Sequence, residues 1–169
     1  MNGEVEVRGR SLCDNDPEAY APCYCDESST TGRSVTCDRV STAAAVTAAF
    51  VASGSRDHAT FTVVENGFAA VPAYLLGPSA RAQNIQLRCA GKSLGPIDDN
   101  AFRSSSLYTT SFGMDRCVVD LFTFNFEFLA GFNALAELTL TRMGLLTFNN
   151  PPQFNALRTI NLQQVGHQR

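Results

Sequence analysis

Five short segments share a spacing that points to a stack of equivalent turns. Phe61-Thr62-Val63, Ile85-Gln86-Leu87, Leu138-Thr139-Leu140 and Ile160-Asn161-Leu162 each carry apolar residues two apart. Three residues before each triplet stands His58, Ala82, Leu135 or Leu157. A weaker copy reads Leu107 followed by Thr110-Ser111-Phe112. With the last residue of each triplet as marker, the copies fall at 63, 87, 112, 140 and 162, in steps of 24, 25, 28 and 22. Residues two apart share one face of a strand. Each triplet therefore predicts a short strand with its outer members buried and its middle member facing out. Other positions keep the phase. Phe68, Cys117 and Leu145 lie five residues past a marker, and Val71 and Phe148 lie eight past. The second copy carries two extra residues, which moves its buried pair to Leu94 and Ile97.

The period fits leucine-rich repeats, whose consensus is L-x-x-L-x-L-x-x-N-x-L. The consensus Asn position holds Asn66, then Asp115 and Met143. The expected fold is α/β: a leucine-rich repeat solenoid with parallel strands on the concave face and irregular or short helical convex segments. Each unit of such a stack buries its apolar side only against its neighbours. Phe102, Phe124, Phe126, Phe128, Phe132, Phe148 and Phe154 fall in the return segments, where stacked rings fill the wide half of the core. An amphipathic strand over 124–128 is the alternative for that stretch. Before the repeats, Ser41 or Thr42 can cap a helix over about Ala43 to Ala52, which Gly54 can end. The chain divides into a disordered extension (1–12), a cysteine-rich cap with its flanking helix (13–57), about five repeats (58–162) and a tail without a C-terminal cap (163–169).

Four of the six cysteines fall between residues 13 and 37. Structural zinc wants Cys-x2–4-Cys knuckles. Here the ligands would be spaced x9, x and x11, and neither His58 nor His167 is near in sequence. A catalytic thiol needs a partnering base, and nothing nominates His58 for that role. A disulfide cluster fits best, because the first apolar layer of an open stack needs a cap. Four cysteines allow three connectivities. Cys89 and Cys117, at different offsets from their markers, suit either a third bridge or two buried thiols.

Cys13, Cys23-Tyr24-Cys25 and Cys37, followed at once by the repeats, resemble the N-terminal cap of extracellular leucine-rich repeat proteins. APCYC, the helix after Cys37, IDDNAF and FNFEFLAGFNALAELTL resemble secreted arthropod members, a group that includes a non-catalytic subunit of a luciferase. The resemblance spans residues 13 to 162. It implies Cys13–Cys25 and Cys23–Cys37 pairing, an extracellular location and a non-enzymatic role.

The net charge is −3 and charged residues make up 17% of the chain, with no basic cluster. That gives no electrostatic case for nucleic acid or an anionic membrane. No apolar run is long enough to span a bilayer. MNGEVEVRGRSL lacks the apolar core of a secretion signal, which conflicts with a disulfide cap. No N-x-S/T acceptor occurs. The expected binding surface is the concave face: Thr62, Val64 and Glu65; Gln86 and Arg88; Ser111, Gly113 and Met114; Thr139, Thr141 and Arg142; Asn161, Gln163 and Gln164. Its partner would be a protein. A stabilising role as a subunit of a larger complex is the alternative, with edge-to-edge association through the last repeat or a shortened chain as the corollary. No metal, cofactor or catalytic group is expected. Asp98 and Asp99 read as turn formers.

Overall fold

The computed structural model describes residues 20–28, 32–53, 57–120, 122–146 and 152–167. Its strands are β1 (Tyr24–Ser28), β2 (Gly32–Asp38), β3 (Asp57–Val64), β4 (Arg81–Arg88), β5 (Ser93–Leu94), β6 (Ser111–Asp115), β7 (Val118–Val119), β8 (Glu137–Leu146) and β9 (Thr159–His167). One sheet runs β1-β2-β3-β4-β6-β8-β9. Only the β1–β2 pair is antiparallel; every later neighbour is parallel. β5 and β7 form a separate two-stranded parallel sheet. Among the described residues there is one α-helix, α1 (Ala43–Ser53), between β2 and β3. The fold is therefore α/β, with a mostly parallel sheet and disulfides.

Side chains alternate along the strands because the strand period is two. In β2, Arg33, Val35 and Cys37 are buried while Ser34, Thr36 and Asp38 face out. The register aligns Val35, Phe61, Ile85, Phe112, Leu138 and Ile160 in one core row. Cys37, Val63, Leu87, Met114, Leu140 and Leu162 form the next. The cap thus supplies β2 as a member of the parallel sheet. At the other end β9 runs to His167, beyond the boundary drawn at 162.

The third segment is shifted from its expected register. Met114, not Phe112, pairs with Leu87 and Leu140, so the markers run 63, 87, 114, 140 and 162. The position three before the triplet is Thr109, which is buried, and Leu107 is 71% exposed. A hydroxyl is tolerated there because it has work to do. β6 begins two residues too late to pair with Ala82. Ser105 Oγ accepts the Ala82 N–H (2.9 Å) and Thr109 Oγ1 donates to the Ala82 carbonyl (2.8 Å). The two hydroxyls lie 2.7 Å apart. Side chains here replace missing strand pairing, and a buried backbone group without a partner would be costly.

A common left-handed position follows β2, β3 and β6 and recurs inside β8, where its pairing register shifts. Arg39, Glu65, Arg116 and Arg142 each take a positive φ between 51° and 56°. The N–H of Arg39, Glu65 and Arg116 donates to a carbonyl of the next strand, at Val64, Arg88 and Thr141. A left-handed L-residue costs free energy, and regular backbone pairing offsets it. After β4 the left-handed residue comes one position later, at Ala90, with Gly91 also at positive φ. The longer turn seats Cys89 beside Cys117, to which it is bonded.

Thr42 Oγ1 accepts the Ala45 N–H and caps α1. Ala43, Val46, Ala49 and Phe50 form its buried stripe, at the spacing of one helical face. Phe50 meets Phe61 edge-on at 5.1 Å. Farther along, Phe102, Phe112, Phe128 and Phe132 pack with centroids 5.4–6.5 Å apart. Each such pair adds about 0.5–1.5 kcal/mol beyond its buried area. Phe126 is buried, Phe124 and Phe154 are partly so, and Phe148 lies outside the described residues. Residues 124–128 form no strand; a 3-10 turn covers Glu127–Leu129.

Candidate functional site

The outward face of the sheet carries three columns of side chains, set by the strand register. Ser34, Thr60, Asn84, Ser111, Glu137 and Thr159 form the first. Thr36, Thr62, Gln86, Gly113, Thr139 and Asn161 form the second. Asp38, Val64, Arg88, Asp115, Thr141 and Gln163 form the third. Most are short, polar and half-buried. Parallel strands lie about 4.8 Å apart, so hydroxyls and amides recur at that interval across the face.

Of the residues expected on this face, Thr62, Val64, Gln86, Arg88, Ser111, Thr139, Thr141, Asn161 and Gln163 occupy it. Glu65 and Arg142 flank it at the left-handed turn positions, and the side chain of Gln164 lies outside the described residues. Met114 does not belong there. It is 1% exposed and faces the core, because the third triplet is shifted by two and its neighbour Asp115 takes the outward position. Ser34, Thr36 and Asp38 join the face through β2. Their signal in the sequence was Val35-Thr36-Cys37, a triplet 26 residues ahead of Phe61-Thr62-Val63.

Gly113 matters in the middle column. A Cβ there would collide with the Gln86 side chain, which lies across the glycine and donates to Asn84 Oδ1 at 2.7 Å. The C-terminal border of the strands is charged. Arg142 makes a two-pronged contact with Asp115, at 3.0 and 2.7 Å, and Thr141 Oγ1 donates to the same carboxylate at 2.6 Å. Partial burial pushes the Asp115 carboxyl up; the Arg142 and Thr141 hydrogen bonds, with the nearby Arg142 and Arg116 charges, outweigh it and hold it below the usual range. Arg39 lies 3.3 Å from Asp38 and 3.4 Å from Glu65. Its guanidinium is raised, first by the hydrogen bond to Asp38.

At the N-terminal border, Arg81 grips Asp57 through two 2.8 Å contacts and lies over the Tyr108 ring at 4.4 Å. The hydrogen bond from Arg81 holds Asp57 below the usual carboxylate range against the opposing effect of burial. His58 is buried, with Nε2 2.9 Å from Tyr20 OH and Nδ1 3.1 Å from the Arg81 carbonyl. Both ring nitrogens are engaged in structural contacts. Asp98 Oδ1 accepts the Asn100 N–H and forms a turn.

Cys23 is bonded to Cys37, as the resemblance implies, and Cys89 to Cys117. Cys25 is also disulfide-bonded; Cys13 lies outside the described residues. Among the described residues, no cluster of three or more His, Cys, Asp or Glu side chains could hold a metal ion. No helix among them is long and apolar enough to cross a membrane. The opposite side of the molecule has a groove of about 610 Å³ beside Phe128, Arg103 and Asn133. Its three phenylalanines are nearly fully buried, so it offers little aromatic surface. No family model, no curated protein and no solved structure matches this chain.

Proposed function

We propose that this chain is an extracellular leucine-rich repeat solenoid that binds a protein partner on its outer sheet face and performs no catalysis. One observation carries the reading. Six parallel strands in continuous register hold columns of short polar side chains that the core does not use. Rigid strands present these groups without further ordering cost, which favours binding. The described disulfides support an oxidising location. Photo-crosslinking tests the face: a benzophenone side chain at Gln86 or Thr139 should trap the partner, and one at Arg103 on the opposite side should not. Trapping from Arg103 alone would refute the assignment.

The second reading is a stabilising subunit of a larger complex. Ile160 and Leu162 stand in the core rows, yet are 56% and 39% exposed on the edge strand β9. An open edge with apolar side chains is suited to pairing with another chain. Sedimentation as a stable monomer across a wide concentration range would count against this reading.

A further inference from the structure

Building on the outer-face reading, we propose that the partner segment seated there is acidic, with its carboxylates meeting Arg88 and Arg116. The chain carries a net charge of −3, yet the C-terminal border of its sheet is positive. Arg39, Arg88, Lys92, Arg116 and Arg142 stand there with Asp38, Glu65 and Asp115. The border's three acids are already engaged. Asp38 and Glu65 lie against Arg39, and Asp115 is held by Arg142 and Thr141. Lys92 Nζ donates to the Glu65 carbonyl. Among the described residues, the side chains of Arg88 and Arg116 make no hydrogen bond or ion pair, although the Arg116 charge lies near enough to Asp115 to help hold its carboxyl down. Both arginines are exposed, and they are neighbours across two adjacent strands: Arg88 ends β4, and Arg116 follows Asp115, its partner in register at the end of β6.

Two guanidiniums without a hydrogen-bond or ion-pair partner among the described residues, at the C-terminal border of a mostly polar face, define its charge preference. Arginine presents a planar fork that fits a carboxylate. Beside it the Thr, Asn and Gln columns offer donors and acceptors to a peptide backbone. A sulfated glycan fits less well, because Asp38, Glu65 and Asp115 interrupt any continuous basic track along this border. A polyanion gains most from an unbroken one.

The test uses the full chain, with disulfides formed, and three fluorescein-labelled probes at low ionic strength: a (Glu-Gly)5 peptide, a (Gln-Gly)5 peptide and a heparin hexasaccharide. The acidic peptide should bind, its affinity should fall as salt rises, and the Gln peptide should not bind. R88E/R116E should weaken the acidic peptide by about tenfold or more; R88Q/R116Q should weaken it less, and R103E should leave it unchanged. Unchanged urea midpoints would show that these exposed substitutions leave the fold intact. Equal binding by R88E/R116E and wild type would overturn the proposal, as would heparin binding tighter than the acidic peptide. Thr139→Trp, which fills the middle column, separates the two readings. If it blocks the photo-crosslinked partner while R88E/R116E does not, the face stands and the acidic partner falls. If neither blocks it, both fall.

Discussion

Replacing Cys89 and Cys117 together by alanine should destabilise the chain by about 3.6 kcal/mol. The bridge spans 28 positions of sequence. In the chain-entropy treatment a loop of that length restricts the unfolded chain by about 12 cal/mol/K, which gives the figure at 25 °C. The 14-position Cys23–Cys37 bridge gives about 3.0 kcal/mol on the same basis. Both sulfurs of Cys89–Cys117 are buried, and alanine leaves only a small void at each site. Asn66 Nδ2 loses a contact of 3.8 Å to Cys89 Sγ, too long and weak to add much. The loss should therefore be almost wholly an unfolded-state effect. Urea unfolding followed by far-UV circular dichroism is the assay, because the chain has no Trp. The denaturant slope should rise as the uncrosslinked denatured chain exposes more surface, and the melting temperature should fall by roughly 7–14 °C. A loss below about 1 kcal/mol with an unchanged slope would refute the reasoning, because the bridge would then not be restricting the unfolded chain.

Met114→Ala should cost about 2–5 kcal/mol as a core truncation, and Gln163→Ala less than about 0.5 kcal/mol as a surface change; urea midpoints for the pair test the shifted register directly. Ser105→Ala takes the acceptor from the Ala82 N–H and should cost about 1–3 kcal/mol, with faster amide exchange at Ala82 as the local signature. Asp57 and Asp115 are held below the reference value of 3.8 in the folded chain. Their pairs therefore contribute fully above that pH, and the contribution disappears as pH falls through the lower folded values. Asp115→Asn should show a flatter stability profile than wild type below pH 4, with a loss at neutral pH of about 1 kcal/mol or less for a partly exposed pair. Urea midpoints from pH 2.5 to 7 check both statements.

The parallel sheet was legible in the sequence because four triplets are strongly apolar at both ends: Phe61/Val63, Ile85/Leu87, Leu138/Leu140 and Ile160/Leu162. Their expected alignment is the observed register. The third segment was harder, because Thr109 stands where the pattern wants an apolar residue. Sliding the frame to Leu107 restores an apolar match and misplaces the strand by two. What decides the register is the backbone of Ala82, whose polar groups need the Ser105 and Thr109 hydroxyls. That demand is three-dimensional and leaves no periodic trace. The Cys89–Cys117 bridge was obscured for a related reason. Counted from Met114, Cys117 stands three past its marker, against two for Cys89, and the late left-handed residue Ala90 accounts for the difference.

The two-residue shift also redraws the charge of the outer face. With Phe112 as marker, Met114 lies outward, and Arg88 and Arg142 look like equivalent free cations. With Met114 in the core, Asp115 takes the third column next to Arg88 and binds Arg142 in a two-pronged contact. Arg142 is then occupied within the chain, and its reversal would damage Asp115 as well as any partner contact. Arg116 rises in its place as the cation beside Arg88 without an ion partner among the described residues. A substitution experiment built on Arg142 would mix fold and recognition, whereas Arg88 with Arg116 separates them. The placement of one buried methionine thus decides which two arginines report on binding.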